Sequence, residues 1–396
     1  MEQVVEKNSF ISNSKKLPWA FFIALSVIII LYFTEMFILP INFFTFRTWE
    51  ALMVKEFLPG SFYPNMKISM IEAGGDLGRH TKFAVKKKVQ WETDRYGYRK
   101  HDAGINRYQI VILGDSAIAG TGLTQEDMLS EVLERRLKIN VYPFTPSRYP
   151  LVDSFLNTKR FTDNPPDIVI LERIEKKIPE LSNIIPNYNN QQKYSWLEQH
   201  WIYFLDRYPY FAILLDRICK NNMGYYFKSR IEIIAQYPAQ LLIKASKREY
   251  NPPGAVQSIV NDKMLFLKET VDKMETDRGI SEEEIERIAE VIASYARVFK
   301  EKGIRFIFLP IPNKENIYYE HLPIKNRTKP KFLERLILKL QKKGIEVIDT
   351  QKAFDEAFRQ SNTLLYQTDD THWNSNGVRV TANLIEKLLQ RGLTKF

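Results

Sequence analysis

Five short apolar runs set the rhythm of this chain: Gln109–Leu113, Asn140–Phe144, Asp167–Leu171, Ile304–Leu309 and Ile345–Ile348. Each is rich in branched or aromatic side chains and short enough to be a buried strand. Most are preceded by stretches with apolar residues three and four apart, as in Glu126–Leu137, Glu282–Lys302 and Lys331–Lys343, ending in basic residues, in two cases with Gly next. Strand and helix in alternation predict an α/β fold, a doubly wound parallel sheet of about five strands. Between about 178 and 276 the alternation breaks. The aromatic side chains there, among them Trp196, Trp201, Tyr208 and Phe211, read as a mostly helical insertion, either a second packing layer or a cap that receives a sugar polymer.

The N-terminal pattern differs. No charge occurs from Leu17 to Thr34, and apolar character resumes after Glu35 as far as Phe44. Eighteen residues at roughly 1.5 Å each span about 27 Å, near the thickness of a bilayer core. No small-residue cleavage site follows, so one uncleaved transmembrane helix is expected over 17–44. Lys15 and Lys16 just before it predict a cytoplasmic tail at 1–16 and an extracytoplasmic remainder. Residues 45–92 read as a juxtamembrane stem without clear period, and 93–396 as the main domain.

Composition narrows the classes. Lys and Arg outnumber Asp and Glu by 57 to 47, for a net charge of +10, but the basic residues are dispersed. A nucleic-acid partner is therefore not expected, whereas an anionic membrane or polymer fits. The single cysteine, Cys219, offers neither an intramolecular disulfide nor a thiol cluster for metal. Neither a metal nor a cofactor is expected.

Two motifs carry chemistry. Gly114-Asp115-Ser116 directly follows Ile110-Val111-Ile112-Leu113, so Ser116 stands at the carboxyl end of a predicted strand, where α/β sheets bind ligands. Alone, the tripeptide is also ordinary turn composition. The second motif, Thr368-Asp369-Asp370-Thr371-His372-Trp373-Asn374, precedes the helical pattern Val378–Leu388 and holds one of only five histidines. A serine nucleophile needs a base, and the base needs a carboxylate to hold its tautomer. Ser116, His372 and either Asp369 or Asp370 supply all three; sequence does not choose between the aspartates.

These motifs resemble the SGNH (GDSL-like) hydrolase superfamily. Gly114-Asp115-Ser116 is similar to its first block, and Asp369-Asp370-Thr371-His372 with Gly377 to its final Asp-x-x-His block. Asp370-Thr371-His372-Trp373 resembles the signature of the alginate O-acetyltransferase branch, as do Leu309-Pro310-Ile311-Pro312-Asn313-Lys314 through Tyr318 and the lead-in Thr93-Asp94-Arg95-Tyr96-Gly97-Tyr98-Arg99. The topology is also similar to the exterior half of cell-wall polysaccharide acetyltransferases, including those of secondary cell wall polysaccharides. The resemblance implies an extracytoplasmic O-acetyltransferase working through a serine acyl-enzyme. It also implies a polysaccharide acceptor and a membrane-bound partner that exports the acetyl group. A carbohydrate esterase with the same triad, or a decayed polysaccharide-binding protein, are the alternatives.

The chain departs from that superfamily where an oxyanion is usually held. Thr145-Pro146-Ser147-Arg148-Tyr149 lacks the Gly of the second block, and Glu172-Arg173-Ile174-Glu175-Lys176-Lys177 lacks the Asn of the third. The backbone N–H of Ser116 and of a following residue are then the expected donors. Asp115, Arg148, Lys176, Lys314 and Tyr318 are the side-chain candidates for oxyanion or substrate binding.

Overall fold

The computed structural model of the chain describes residues 18–34, 38, 47–54, 59–78, 81–105, 107–146, 151–184, 254–275, 279–325 and 329–393, with scattered positions between 197 and 214. Its strands are β1 (Lys67–Ala73), β2 (Lys86–Glu92), β3 (Ile110–Leu113), β4 (Val141–Phe144), β5 (Ile168–Ile174), β6 (Ala255–Gln257), β7 (Leu265–Leu267), β8 (Arg305–Ile311) and β9 (Glu346–Val347). The main helices are α1 (Leu129–Leu137), α2 (Leu151–Leu156), α3 (Glu282–Glu301), α4 (Phe332–Lys342), α5 (Thr350–Ser361) and α6 (Ser375–Leu393).

Five strands pair in parallel in the order β4-β3-β5-β8-β9, so the expected α/β class and five-strand sheet are present. Successive side chains of a strand point to opposite faces, and here that alternation builds two cores. Val111, Leu113, Val169, Leu171, Phe306 and Phe308 pack with α2, α3 and α4. Ile110, Ile112, Ile170, Ile307 and Leu309 pack with α1, α5 and α6. Burial on both faces explains why these strands read as unbroken apolar runs.

Two strands run further than their apolar cores suggest. β5 and β8 stay paired through Glu172–Leu309, Arg173–Pro310 and Ile174–Ile311. Pro310 is tolerated because β9 pairs only beside Ile307 and Phe308, leaving that side of β8 without a ladder at Pro310. The Leu309–Pro312 motif therefore begins inside a strand.

The expected stem contains an antiparallel hairpin of β1 and β2, with Lys67 opposite Glu92 and Ala73 opposite Lys86. Its inner residues Val89 and Trp91 pack with Leu52, Phe62, Tyr63 and Ala119. Arg99 joins this layer to the turn after β3. Its side chain is fully buried and all five of its N–H groups are used. Nη1 donates to the carbonyls of Ala119 (3.1 Å) and Gly120 (2.6 Å), Nη2 to those of Gln90 (3.0 Å) and Leu123 (2.7 Å), and Nε to Gln125 Oε1 (3.1 Å). The guanidinium carbon lies 3.7 Å above the centre of the Trp91 ring.

The anchor expected over 17–44 falls partly outside the described residues. Residues 18–34 are helical, with Trp19, Phe21, Phe22, Ile23, Ile30 and Phe33 exposed. That run covers about 25 Å at roughly 1.5 Å per residue. Among the described residues, no helix is long and apolar enough to cross a membrane. The expected tail at 1–16 lies outside the described residues, as does most of the insertion expected at 178–276. The described C-terminal end of that insertion is the β6–β7 hairpin and a helix over Lys268–Glu275.

Arg99→Lys is expected to destabilise the full chain by about 2–4 kcal/mol, because an ammonium offers three donors to five acceptors, three of them buried, and loses the planar stack on Trp91. Denaturant unfolding checks this; wild-type stability would show that the guanidinium network is dispensable.

Candidate active site

The nucleophile turn is shaped by what lies beneath it. A Cβ on Gly114 would sit 2.2 Å from Ile118 Cγ1 and 2.6 Å from Glu172 Oε2, so only glycine fits there. Glu172, at the β5 position opposite Gly114, accepts the Asp115 N–H at 3.1 Å. Burial and the neighbouring Asp115 charge raise its carboxyl well above the ordinary range. Asp115 bonds Lys177 Nζ at 2.6 Å. Burial pushes the Asp115 carboxyl up, but the Lys177 ammonium overrides it and holds the group below its usual value. Ser116 follows, half-buried, and its N–H has no partner among the described residues.

The facing loop runs from Leu365 to Trp373 and presents His372. His372 Nε2 lies 2.8 Å from Ser116 Oγ, and Nδ1 lies 2.6 Å from Asp370 Oδ1. With Nδ1–H donated to Asp370, Nε2 is left as the acceptor for the serine hydroxyl. Burial lowers the His372 pKa, but the Asp370 charge and hydrogen bond, followed by Asp76 and Asp115, raise it above the usual histidine value. Burial alone would raise Asp370; His372 and Lys87 instead hold it well below the usual carboxylate range.

The two aspartates divide the work. Asp370 meets the imidazole, whereas Asp369 neither caps α6 nor faces solvent. Asp369 Oδ2 accepts the N–H groups of Gly75 and Val85, both at 2.8 Å, and its main-chain oxygen accepts those of Leu77 (3.1 Å) and Gly78 (2.9 Å). The loop between β1 and β2 is thereby fastened to the histidine loop. Contact is so close that a Cβ on Gly75 would fall 2.4 Å from Asp370 Cβ.

Lys314 and Tyr318, expected near substrate, belong to the same scaffold. Lys314 is buried, and its ammonium donates to the carbonyls of Leu265 (2.7 Å), Gln367 (2.6 Å), Thr368 (3.0 Å) and Asp370 (3.0 Å). Burial lowers its pKa to about 8. The Tyr318 hydroxyl, also buried, accepts the Leu365 N–H at 2.7 Å. Gln367 completes the clamp by donating to the carbonyls of Thr121 (3.0 Å) and Trp373 (3.1 Å), which ties the histidine loop to the serine turn.

A small cavity opens beside the imidazole, lined by Ala117, Lys176, Thr270, Asn313 and His372 among others. Lys176 is exposed at it, as a substrate-facing cation requires; Arg148 lies outside the described residues. Asp76, Asp370 and His372 bring possible ligand atoms within 4.8 Å of one another. With Nδ1–H donated to Asp370, that nitrogen has no lone pair to offer a cation.

Residues 260–395 match the family model described as SGNH hydrolase-like domain, acetyltransferase AlgX. The match supports the alginate O-acetyltransferase-like branch of the SGNH superfamily. No curated protein matches the chain. The SGNH-like segment spans α3, β8, the Lys314 turn, the histidine loop and α6, but it begins well after Ser116. Its link to the serine is therefore the 2.8 Å contact itself.

Sequence reasoning missed Asp76, Lys177, Glu172 and Gln367. Glu172 had a signal, since it occupies the strand end beside the serine turn; the others are brought in by loop contacts with no local pattern.

Lys314→Met is expected to cost about 3 kcal/mol or more, because it strips the donor from four carbonyls at once, three of them buried. Unfolding measurements on the full chain check this, and undiminished stability would contradict the clamp.

Proposed function

We propose that the chain is an O-acyltransferase that carries an acetyl group on Ser116 and delivers it to hydroxyls of a cell-wall or secreted polysaccharide. The observation that carries this reading is the relay from Ser116 Oγ through His372 to Asp370, at 2.8 and 2.6 Å. The serine oxygen attacks the carbonyl carbon of an acyl donor while His372 Nε2 takes the hydroxyl proton. That proton then passes to the leaving group as its bond to the acyl carbon breaks. A sugar hydroxyl enters next, loses its proton to His372 and attacks the acyl carbon, and Ser116 leaves with that proton returned to its oxygen. Asp370 stabilises the imidazolium at both stages.

The match to an acetyltransferase model favours transfer over hydrolysis. Carbohydrate ester hydrolysis is the second reading, since water can take the acceptor's place in the same geometry. An extracytoplasmic location is part of the proposal, supported by the exposed apolar side chains of residues 18–34, which water does not solvate well. Acetyl-CoA is not available outside the cell, so a membrane protein that exports the acetyl group is the proposed partner and the polysaccharide the acceptor. The unpartnered Ser116 N–H and the exposed Lys176 are the proposed sources of positive potential for the oxyanion.

Exposure of the full chain to a model acetyl ester should give a covalent acetyl adduct by intact mass that Ser116→Ala abolishes; persistence of the adduct in that variant would sink the assignment. Adding an oligosaccharide should yield acetylated sugar in excess of acetate, while acetate alone would favour the esterase. The acylation rate should rise with pH through a midpoint above the ordinary histidine value of about 6.5, as the raised His372 pKa requires. A midpoint below that value would contradict the Asp370–His372 pairing.

A further inference from the structure

The β1–β2 loop brings a carboxylate to the histidine from a part of the chain that neither the family match nor the serine and histidine motifs include. Asp76 Oδ2 lies 3.6 Å from His372 Nδ1, the nitrogen already bonded to Asp370. That distance is beyond a hydrogen bond and well within the range of a direct charge interaction. The Asp76 N–H donates to Asp370 Oδ2 at 3.0 Å, turning the other Asp370 oxygen toward the imidazole. The Asp76 side chain is in turn held by Arg47, which bonds its Oδ1 and also pairs with Glu50 at 2.7 Å.

We propose that Asp76 is a positioning residue of the active site, a second carboxylate that stabilises the His372 imidazolium while its backbone aims Asp370. The proposal rests on His372 acting as the base in the reaction above. Around the imidazole the remaining charged groups are already committed. Asp370 lies on the same loop, Asp115 comes from the turn after β3 and is paired with Lys177, and Lys87 of β2 and Lys314 of the turn after β8 lie on the Asp370 side. Asp76 is likewise paired, with Arg47, but its side chain makes no hydrogen bond to His372 or Asp370, so Asp76→Asn removes a charge 3.6 Å from the imidazole and leaves the Asp370–His372 bond in place. Its side chain is one-third exposed, so solvent screens part of its effect. The segment ahead of residue 93 is on this view part of the catalytic apparatus, and Arg47 connects it to the residues that follow the apolar N-terminal stretch.

The test is an NMR titration of the His372 imidazole in the full chain, assigned by loss of its resonance in His372→Gln. Asp76→Asn is expected to lower the midpoint by roughly half to one pH unit, and Asp76→Glu to keep the wild-type value. Asp76→Ser, a smaller neutral replacement, should lower it in the same direction, which guards against a local packing fault in the Asn variant. An unchanged midpoint in both neutral variants, or an equal shift in Asn and Glu variants, would reduce the loop to scaffolding and overturn the proposal. Because this readout needs no acyl donor, its outcome is separate from whether Ser116 is acylated.

Discussion

A loop that carries catalytic groups into a protein interior must find a partner for every amide and carbonyl it buries, and this requirement organises the site. The residues from Leu365 to Trp373 meet it from three directions. The Lys314 ammonium gathers the carbonyls of Gln367, Thr368 and Asp370 together with that of Leu265 in β7. Asp369 accepts four N–H groups of the β1–β2 loop and its flank through one carboxylate oxygen and its main chain. Gln367 reaches across to the serine turn. Hydrogen bonds to charged groups contribute about 1.5–3 kcal/mol each, so Lys314 and Asp369 offset much of the entropy of holding the loop still. His372 inherits its position from this frame.

The electrostatics follow from the same packing. Removing water from His372 and Asp370 disfavours charge on either one alone, but their 2.6 Å contact reverses both shifts, the histidine upward and the aspartate downward. The pair is thus set to receive the serine proton. On the nucleophile side the same logic uses different residues. Glu172 stands at the strand end and bonds the Asp115 amide, and Lys177 offsets the Asp115 charge that burial would otherwise suppress. The sequence after the second and third strands of this sheet lacks the Gly and Asn of the superfamily it resembles. Among the described residues, the Ser116 N–H and the Lys176 cation are the groups left to serve an oxyanion in the proposed reaction.

How much of this was legible in the sequence depends on how far each interaction reaches. Strands such as Ile110–Leu113 are buried on both faces, so their composition announces them, and Ser116 and His372 stood out by their place next to predicted elements. The β1–β2 hairpin did not. Only Val89 and Trp91 of β2 are buried, and the run Lys86-Lys87-Lys88 hides the alternation because the middle lysine turns inward toward Gln367. The choice between Asp369 and Asp370 was beyond the sequence because it is made by Gly75, Asp76 and Val85, almost three hundred positions away. Lys314 looked like a substrate contact because it follows a strand end, where α/β sheets bind ligands; the carbonyls that enclose its ammonium come from β7 and the histidine loop.

The division between the two aspartates is the claim on which the account turns, and single-turnover acylation of Ser116 in Asp370→Asn and Asp369→Asn variants measures it most directly. Asp370→Asn should retain most of the thermal stability and lose acylation by about a thousandfold or more, since the imidazolium loses the charge that stabilises it. Asp369→Asn should lose stability first, with the acylation rate of the molecules that remain folded falling far less. The reverse pattern, fast acylation without Asp370 and a stable but inactive Asp369 variant, would contradict the account.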